Sequence, residues 1–333
     1  MYGGTERVVA FLTDELVKQG HEVTLFASGD SITSATLVPG CAQAHRLAGD
    51  RRDALAEHIL MVEHVVQRAA EFDLIHFHLS QIHFSIARRL ETPHVTTLHG
   101  RLDLPELVPL YREFRDIPVV SISDAQQLPL PDAGWIGTVY HGLPVDLLEF
   151  QPRPGNYLAF LGRVSPEKRV DRAIAIAKAC GYRLKIAAKV DPADQEYFEE
   201  EIQPLLDHPL VEFIGEISEG QKSAFLGGAR ALLFPIDWPE PFGLVQIESL
   251  ACGTPVVAFR GGSVAEIVEE AVTGFVVENI EQAIEAVRRV DRIDRRMCRL
   301  AFEARFSSTR MALDYVGLYQ QLSTISRATN LVA

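Results

Sequence analysis

The feature that most constrains this 333-residue chain is an alternation that runs, breaks once and resumes. Apolar runs of strand length are separated by segments of helical period. In the first half the runs are HEVTLFA (His21 to Ala27), DLIHFH (Asp73 to His78), HVTTLH (His94 to His99), PVVSIS (Pro118 to Ser123) and IGTVYH (Ile136 to His141). Helical spacing fills Glu6 to Gln19, with Val8, Val9, Leu12 and Leu16 on one face, and Arg52 to Ala69. Gln19-Gly20 supplies a helix stop. Strands joined through helices lie parallel, so the pattern predicts a sheet covered by helices.

The break is GLPVDLLEFQPRPGN, Gly142 to Asn156, rich in Pro and Gly and without a period; it reads as a linker. Strands then resume at YLAFLG (Tyr157 to Gly162), RLKIAA (Arg183 to Ala188), VEFIG (Val211 to Gly215), ALLFP (Ala231 to Pro235), PVVAF (Pro255 to Phe259) and GFVV (Gly274 to Val277). Two helical stretches follow, Glu281 to Arg305 and Ser307 to Ile325. The expected fold class is α/β, with two tandem Rossmann-like, doubly wound parallel-sheet domains facing an interdomain cleft. The expected domains are residues 1–150 and 151–306, with the last helix, 307–327, packing back onto the first. Ligands of such sheets sit beyond the carboxyl ends of the strands, and the cleft is the natural site.

The opening, MYGGTERVV, breaks the pattern: a glycine turn enters a helix with no strand before it. The expectation is a longer native start or a weakened first domain, in which two strands lack a partner and apolar surface is exposed. Composition narrows the function classes. Hydrophobic residues make up 47% and the formal net charge is -13, with no basic stripe, so a nucleic-acid partner is not expected. No apolar run is long enough to span a bilayer and no basic-apolar leader opens the chain, which reads as cytoplasmic. Cys41, Cys180, Cys252 and Cys298 form no CxxC and read as reduced and buried.

Several constellations carry chemistry. In PEPFGLVQIESLACGTPVVAF (Pro239 to Phe259), Glu240 precedes a Pro-Phe-Gly turn and Glu248 lies about a turn into the helix expected from Leu244. Both are read as facing the cleft mouth. A carboxylate accepts two hydrogen bonds and so suits the vicinal diol of a sugar or ribose; acids near a helix N-terminus also have a purely dipolar explanation. In FLGRVSPEKRVDRAI, Arg163 and Lys168 stand between a strand end and a helix start near Val170. That arrangement suits a diphosphate, the plainer alternative being a solvated loop paired with Glu167 or Asp171. GGTE (Gly3 to Glu6) allows close backbone approach at a helix start, a weak signal without a full GxGxxG. His99 ends a strand and can meet a sugar hydroxyl or phosphate, His78 has a weaker claim, and His76 is read as pointing elsewhere, into the core or behind the site. Ser123 or Asp124 reads as a helix cap. Gly261 and Gly262 form a turn into a helix holding Glu266, lining the acceptor side, supporting the nucleotide, or serving only as a helix start. Asp-x-Asp, GxxxxGK[ST] and GxSxG are all missing from the sequence.

Taken together, GRVSPEK and PEPFGLVQIESLACGTPVVAFRGGSVAEIV resemble the retaining glycosyltransferases of family 4, which have the two-domain GT-B fold. GGTE, TTLHG and HGLPVDLLEF extend the resemblance over nearly the whole chain. It implies that Arg163 and Lys168 hold the donor diphosphate and stabilise the leaving group. It implies that Glu240 contacts donor-sugar hydroxyls, Glu248 binds the ribose, and Gly243 and Leu244 offer backbone amides beside Phe242. His99 would sit by the reacting face of the donor sugar, and Gly4, with Gly3, would approach the diphosphate or acceptor. The implied reaction transfers a hexosyl group from a nucleotide-diphosphate sugar (UDP-, GDP- or ADP-linked) to a sugar or glycolipid acceptor. It proceeds with retention, without a metal or cofactor, and with membrane contact at most peripheral. The competing readings are a nucleotide-sugar epimerase of the same fold and a nucleotide-binding protein impaired by the missing strand. A nicotinamide oxidoreductase is disfavoured by the lack of GxGxxG after a first strand.

Overall fold

The computed structural model describes residues 3–45 and 54–330. Met1, Tyr2, Arg52 and Asp53, which belong to the opening turn and the second helical pattern, lie outside the described residues. The chain forms two compact units: Gly3–Gly142 with Ser308 onward, and Leu143–Ser307. The unit boundary thus precedes most of the stretch read as linker, and Leu143 to Phe150 belong to the second unit.

In the first unit, β1 (Thr24–Ser28) pairs in parallel, among the described residues, only with β2 (Thr36–Cys41). A separate four-stranded parallel sheet has the order β3 (Ile75–Phe77), β4 (His94–Thr97), β5 (Val119–Ser121) and β6 (Trp135–Thr138). The strand β2 is not legible in the sequence, because Pro39 and Gly40 interrupt it. An edge strand tolerates a proline, and the register slips there, between Ala27–Pro39 and Ser28–Cys41. The core beneath the four strands gathers Phe84, Leu98, Tyr111, Ile117 and Leu130. The helix Gly4–Lys18 buries Val8, Leu12 and Leu16 as its spacing predicts. It also packs against the terminal helix Ser308–Asn330, whose Thr309 hydroxyl donates to Glu15 Oε1 at 2.9 Å.

The second unit is one six-stranded parallel sheet in the order β12-β11-β10-β7-β8-β9. Its strands are β7 (Tyr157–Val164), β8 (Arg183–Val190), β9 (Val211–Gly215), β10 (Ala231–Phe234), β11 (Val256–Phe259) and β12 (Gly274–Val277). From β7 the chain winds outward to β9, then returns to place β10 on the other side of β7. The sequence of strand additions therefore reverses between β7 and β10, where the carboxyl ends of neighbouring strands leave a crevice. Among the described residues no helix is long and apolar enough to cross a membrane.

One expectation is corrected. Glu281 to Arg305 is two helices, Ile280–Arg289 and Arg295–Arg305, split by a tight turn at Val290–Arg292. Asp294 caps the second, accepting from the Arg296 amide at 2.9 Å. Buried Ala286, Val287, Val290, Ile293 and Cys298 carry the apolar rhythm straight across the turn, so spacing alone conceals it.

Arg295 opens that helix and is 6% exposed. Its guanidinium donates to the carbonyls of Gln151 (2.7 Å), Ala229 (2.9 Å) and Gly227 (2.8 Å) and to Thr254 Oγ1 (2.6 Å). Four chain segments are thus tied by one rigid fork. Arg295→Lys, which keeps the charge but not the fork, is expected to lower stability by about 1–3 kcal/mol, read as a reduced urea midpoint.

Candidate active site

The site grows from the loops that leave β7 and β10. Buried Leu158 to Leu161 anchor β7, and Pro166 starts a tight turn, Pro166–Lys168, closed by the Lys168 amide on the Ser165 carbonyl at 3.0 Å. Arg169 then adopts a left-handed conformation (φ 53°, ψ 56°) before the helix Val170–Cys180. That conformation costs a non-glycine residue about 1–2 kcal/mol. Two ion pairs hold it, to Asp171 (2.7 Å) and to Asp237 (2.9 Å) in the loop after β10. Asp237 also meets Arg172 at 3.0 Å, and its amide donates to the Glu167 carbonyl at 2.9 Å. The two loops are therefore tied together before any ligand arrives.

Lys168 and Glu240 meet across them in a direct hydrogen-bonded ion pair. Glu240 is 8% exposed. Trp238 donates its indole N–H to Glu240 Oε2 at 3.0 Å, and the Lys168 ammonium lies 5.0 Å from the Trp238 ring and 5.6 Å from the Phe234 ring. Gly243 starts the helix Leu244–Ala251 at φ 78°. A side chain there would be both strained and crowded, meeting Gln246 Nε2 at 2.7 Å and Phe234 at 3.0 Å. Phe242 is buried against Phe306 and keeps the turn in place, its carbonyl accepting from Ser263 Oγ at 2.9 Å. The Gly261–Ser263 turn supports this loop from behind: the Ser263 amide donates to the Glu240 carbonyl at 3.0 Å, and a Cβ at Gly262 would strike the Glu240 backbone.

Arg163, at the end of β7, is partly exposed and faces three carboxylates, Glu167 (3.3 Å), Asp191 (3.7 Å) and Asp194 (3.9 Å). Such long, solvated contacts are weak and leave the side chain exchangeable. Glu248 differs from its sequence reading. It does not stand open on its helix but is 1% exposed, with Oε1 held at 2.7 Å by Lys222, itself 2% exposed, from the helix Glu219–Gly227. Spacing suggested neither Lys222 nor Trp238. Trp238 stands two residues from Glu240, but nothing marks Lys222, whose partner lies 26 positions on.

In the first unit, His78 and His99 follow β3 and β4, and His78 Nδ1 lies 2.9 Å from His99 Nε2. Among the described residues the enclosed His99 Nδ1 has no hydrogen-bond partner, and the His99 ring stacks on His141 at 5.3 Å. His76 does not point away from His78, as the sequence reading had it. Residues two apart on a strand share a face, and the two rings lie 4.0 Å apart. His76 bonds Tyr319 (2.7 Å) and Thr97 (2.8 Å). Gly3 caps the helix Gly4–Lys18 without a side-chain hydrogen bond. Ser123 is the cap of its short helix, accepting from the Gln126 amide at 3.1 Å.

Burial, reinforced by neighbouring imidazoles, holds His78 and His141 well below the ordinary 6.5, and burial pushes His99 down to about 4. The unfolded chain thus takes up these protons more readily than the folded one. The contribution is fully present above pH 6.5 and is lost as pH falls towards 4. His141→Asn is expected to flatten the fall in unfolding free energy across this window by up to about 1.4 kcal/mol per pH unit, measured by urea titrations at stepped pH.

The chain thus consists of two parallel α/β units, one of them doubly wound with a cation, a carboxylate and a glycine-started helix at its switch point, the parts expected of the GT-B fold. The chain matches the family model for "Glycosyltransferase Family 4" over residues 2–129 and that for "Glycosyl transferases group 1" over 149–297. A D-inositol 3-phosphate glycosyltransferase of Frankia alni is 28% identical, covering 88% of this chain and 85% of that protein. A GDP-mannose-dependent alpha-(1-6)-phosphatidylinositol dimannoside mannosyltransferase of Mycobacterium tuberculosis is 33% identical, covering 47% of this chain and 44% of its own. The crystal structure of AviGT4, a glycosyltransferase involved in avilamycin A biosynthesis, superposes with a TM-score of 0.75 at 26% identity, covering 97% and 91% of the two chains. Anabaena Alr3699/HepE, in complex with UDP and glucose, shares the fold with a TM-score of 0.74 at 20% identity, covering 96% of each chain. The two family matches, over residues 2–129 and 149–297, these relatives and these structural neighbours together support a family 4 glycosyltransferase of the GT-B fold.

Proposed function

We propose that this protein is a retaining, metal-independent hexosyltransferase acting from a nucleotide-diphosphate sugar onto an acceptor hydroxyl, in the cytoplasm. The observation that carries the reading is the Lys168–Glu240 pair at the β7/β10 switch point, beside the amides that open the helix at Leu244. Arg163 and Lys168 meet the charge that develops on the departing diphosphate, aided by the Gly243 and Leu244 amides. Glu240 accepts from hydroxyls of the donor sugar, and Phe242 fixes the turn that presents it. Glu248 accepts from the ribose diol, with Lys222 holding its Oε1 in the buried position. The leaving phosphate takes the acceptor's proton as the new bond forms on the same face, so no protein nucleophile is required. His99, Gly3 and Gly4 belong to the other unit, and their part rests on family resemblance alone.

The nucleotide sugar is the co-substrate. One similar protein is a GDP-mannose-dependent enzyme and another was crystallised with UDP-glucose, so UDP, GDP and ADP sugars are all to be tried. Calorimetric titration with UDP, GDP and ADP and their sugar conjugates tests the reading. One nucleotide is expected to bind, with affinity reduced at least about tenfold in both Glu248→Ala and Arg163→Ala. Binding of none by the folded protein would sink it. Proton NMR of the anomeric signal in the product tests retention.

A further inference from the structure

We propose that Trp238 is a positioning residue of the donor site: it selects which oxygen of Glu240 is offered to a sugar hydroxyl, and keeps the other partnered when Lys168 turns to an anion. The inference rests on the reading of Glu240 as the sugar-contacting carboxylate.

The geometry carries it in three steps. Lys168 Nζ and Trp238 Nε1 converge on the same atom, Glu240 Oε2. Among the described residues Glu240 Oε1 receives no hydrogen bond, so the carboxylate is divided into an oxygen held by the protein and an oxygen left to accept. An indole N–H is a donor only, so this division does not depend on a tautomer or a rotatable hydroxyl.

Lys168 is the exchangeable partner. Its ammonium sits over two aromatic faces, at 5.0 Å from Trp238 and 5.6 Å from Phe234, which stabilise the charge without fixing its direction. An ammonium has three donors and can swing towards a diphosphate. Glu240 would then lose its cation while 8% exposed, and an unpartnered carboxylate there is costly. The indole N–H remains to satisfy Oε2 and hold the plane of the carboxylate. The backbone that carries the ring is held by the loop bearing Glu240: the Glu240 amide donates to the Trp238 carbonyl at 2.9 Å, and Gly261 leaves no room beyond that carbonyl, 2.6 Å from where a Cβ would stand.

The consequence is selective. Losing the indole N–H weakens recognition of the sugar more than that of the diphosphate: either ligand draws Lys168 from Glu240 Oε2, but only the sugar also needs Oε1 correctly aimed. Trp238→Phe keeps an aromatic face for Lys168 and removes only the donor, whereas Trp238→Leu removes both. Wild type and both variants are titrated calorimetrically with UDP, GDP and ADP and with UDP-glucose, GDP-mannose and ADP-glucose. Trp238→Phe is expected to bind the sugar conjugate about tenfold more weakly, while its affinity for the matching nucleoside diphosphate falls by only about threefold. Trp238→Leu is expected to weaken both. In transfer assays the Phe variant raises KM for the sugar nucleotide more than it lowers kcat. Tryptophan emission gives a second reading: adding the nucleoside diphosphate shifts it in wild type, as Lys168 leaves the ring, and not in Trp238→Phe. Equal loss of both affinities in the Phe variant, or loss of neither, overturns the inference while leaving the transferase reading intact. Failure of the wild type to bind any of the six compounds overturns both.

Discussion

Lys168→Ala is expected to reduce turnover by about 10²–10³-fold, the usual effect of removing one preorganised charge stabiliser from a reacting anion. Lys168 is placed by a proline-started turn, tied to the β10 loop through Glu240, and backed by two aromatic rings. It is therefore poised beside the site before substrate arrives, and a turn of its ammonium on binding brings its charge to the diphosphate before the leaving group departs. Lys168→Arg should recover part of the loss, since charge is kept while shape and reach change. Steady-state kinetics with the nucleotide sugar found to bind, with thermal unfolding as the control for folding, provide the measurement. A turnover within about fivefold of wild type would show that Lys168 serves only as the structural counter-ion of Glu240.

The second large effect is on stability. Lys222→Met is expected to destabilise the second unit by about 3–5 kcal/mol, because it strips the cation from a carboxylate that is 1% exposed. Glu219 also approaches Lys222, at 3.1 Å, but it is partly exposed and offers Glu248 nothing once the lysine is gone. The double variant Lys222→Met with Glu248→Leu should recover most of the loss, since an apolar pair of similar volume avoids the desolvation that the ion pair bears. That asymmetry separates a buried ion pair from a hydrated one. Urea unfolding of the two single variants and the double variant measures the coupling. A single-variant cost below about 1 kcal/mol would mean that water reaches Glu248. Recovery of stability in the double variant without recovery of nucleotide binding is the pattern expected of a pair retained for recognition rather than for folding.

Much of the fold was legible because it depends on local spacing. Leu158 to Leu161, Leu184 to Ala188 and Val256 to Phe259 are near-continuous apolar runs, the mark of strands buried on both faces, and each became a central or near-central strand. The helix starts at Leu244 and Val170 were readable from the glycine and the charged loop before them. What escaped was whatever local rules disfavour and tertiary contacts rescue. The strand β2 survives Pro39 because it is an edge, and Arg169 survives a left-handed backbone because Asp171 and Asp237 hold it. The helix break at Val290–Arg292 hides beneath an unbroken apolar rhythm.

The same division runs through the site. Residue type and short-range periodicity fix the parallel α/β class, the element order, and the presence of Arg163, Lys168, Glu240 and Glu248 near helix starts. Which of these groups touch is set by the packing of distant segments. It brought Lys168 against Glu240 across 72 positions and sealed Glu248 against Lys222 across 26. It set an indole on the same oxygen that the lysine holds, and joined His78 to His99 in the other unit. Those pairings are fixed by the reversal of strand order at β7 and β10 and by the parallel register of β3 and β4, and the chain's local chemistry holds no record of either.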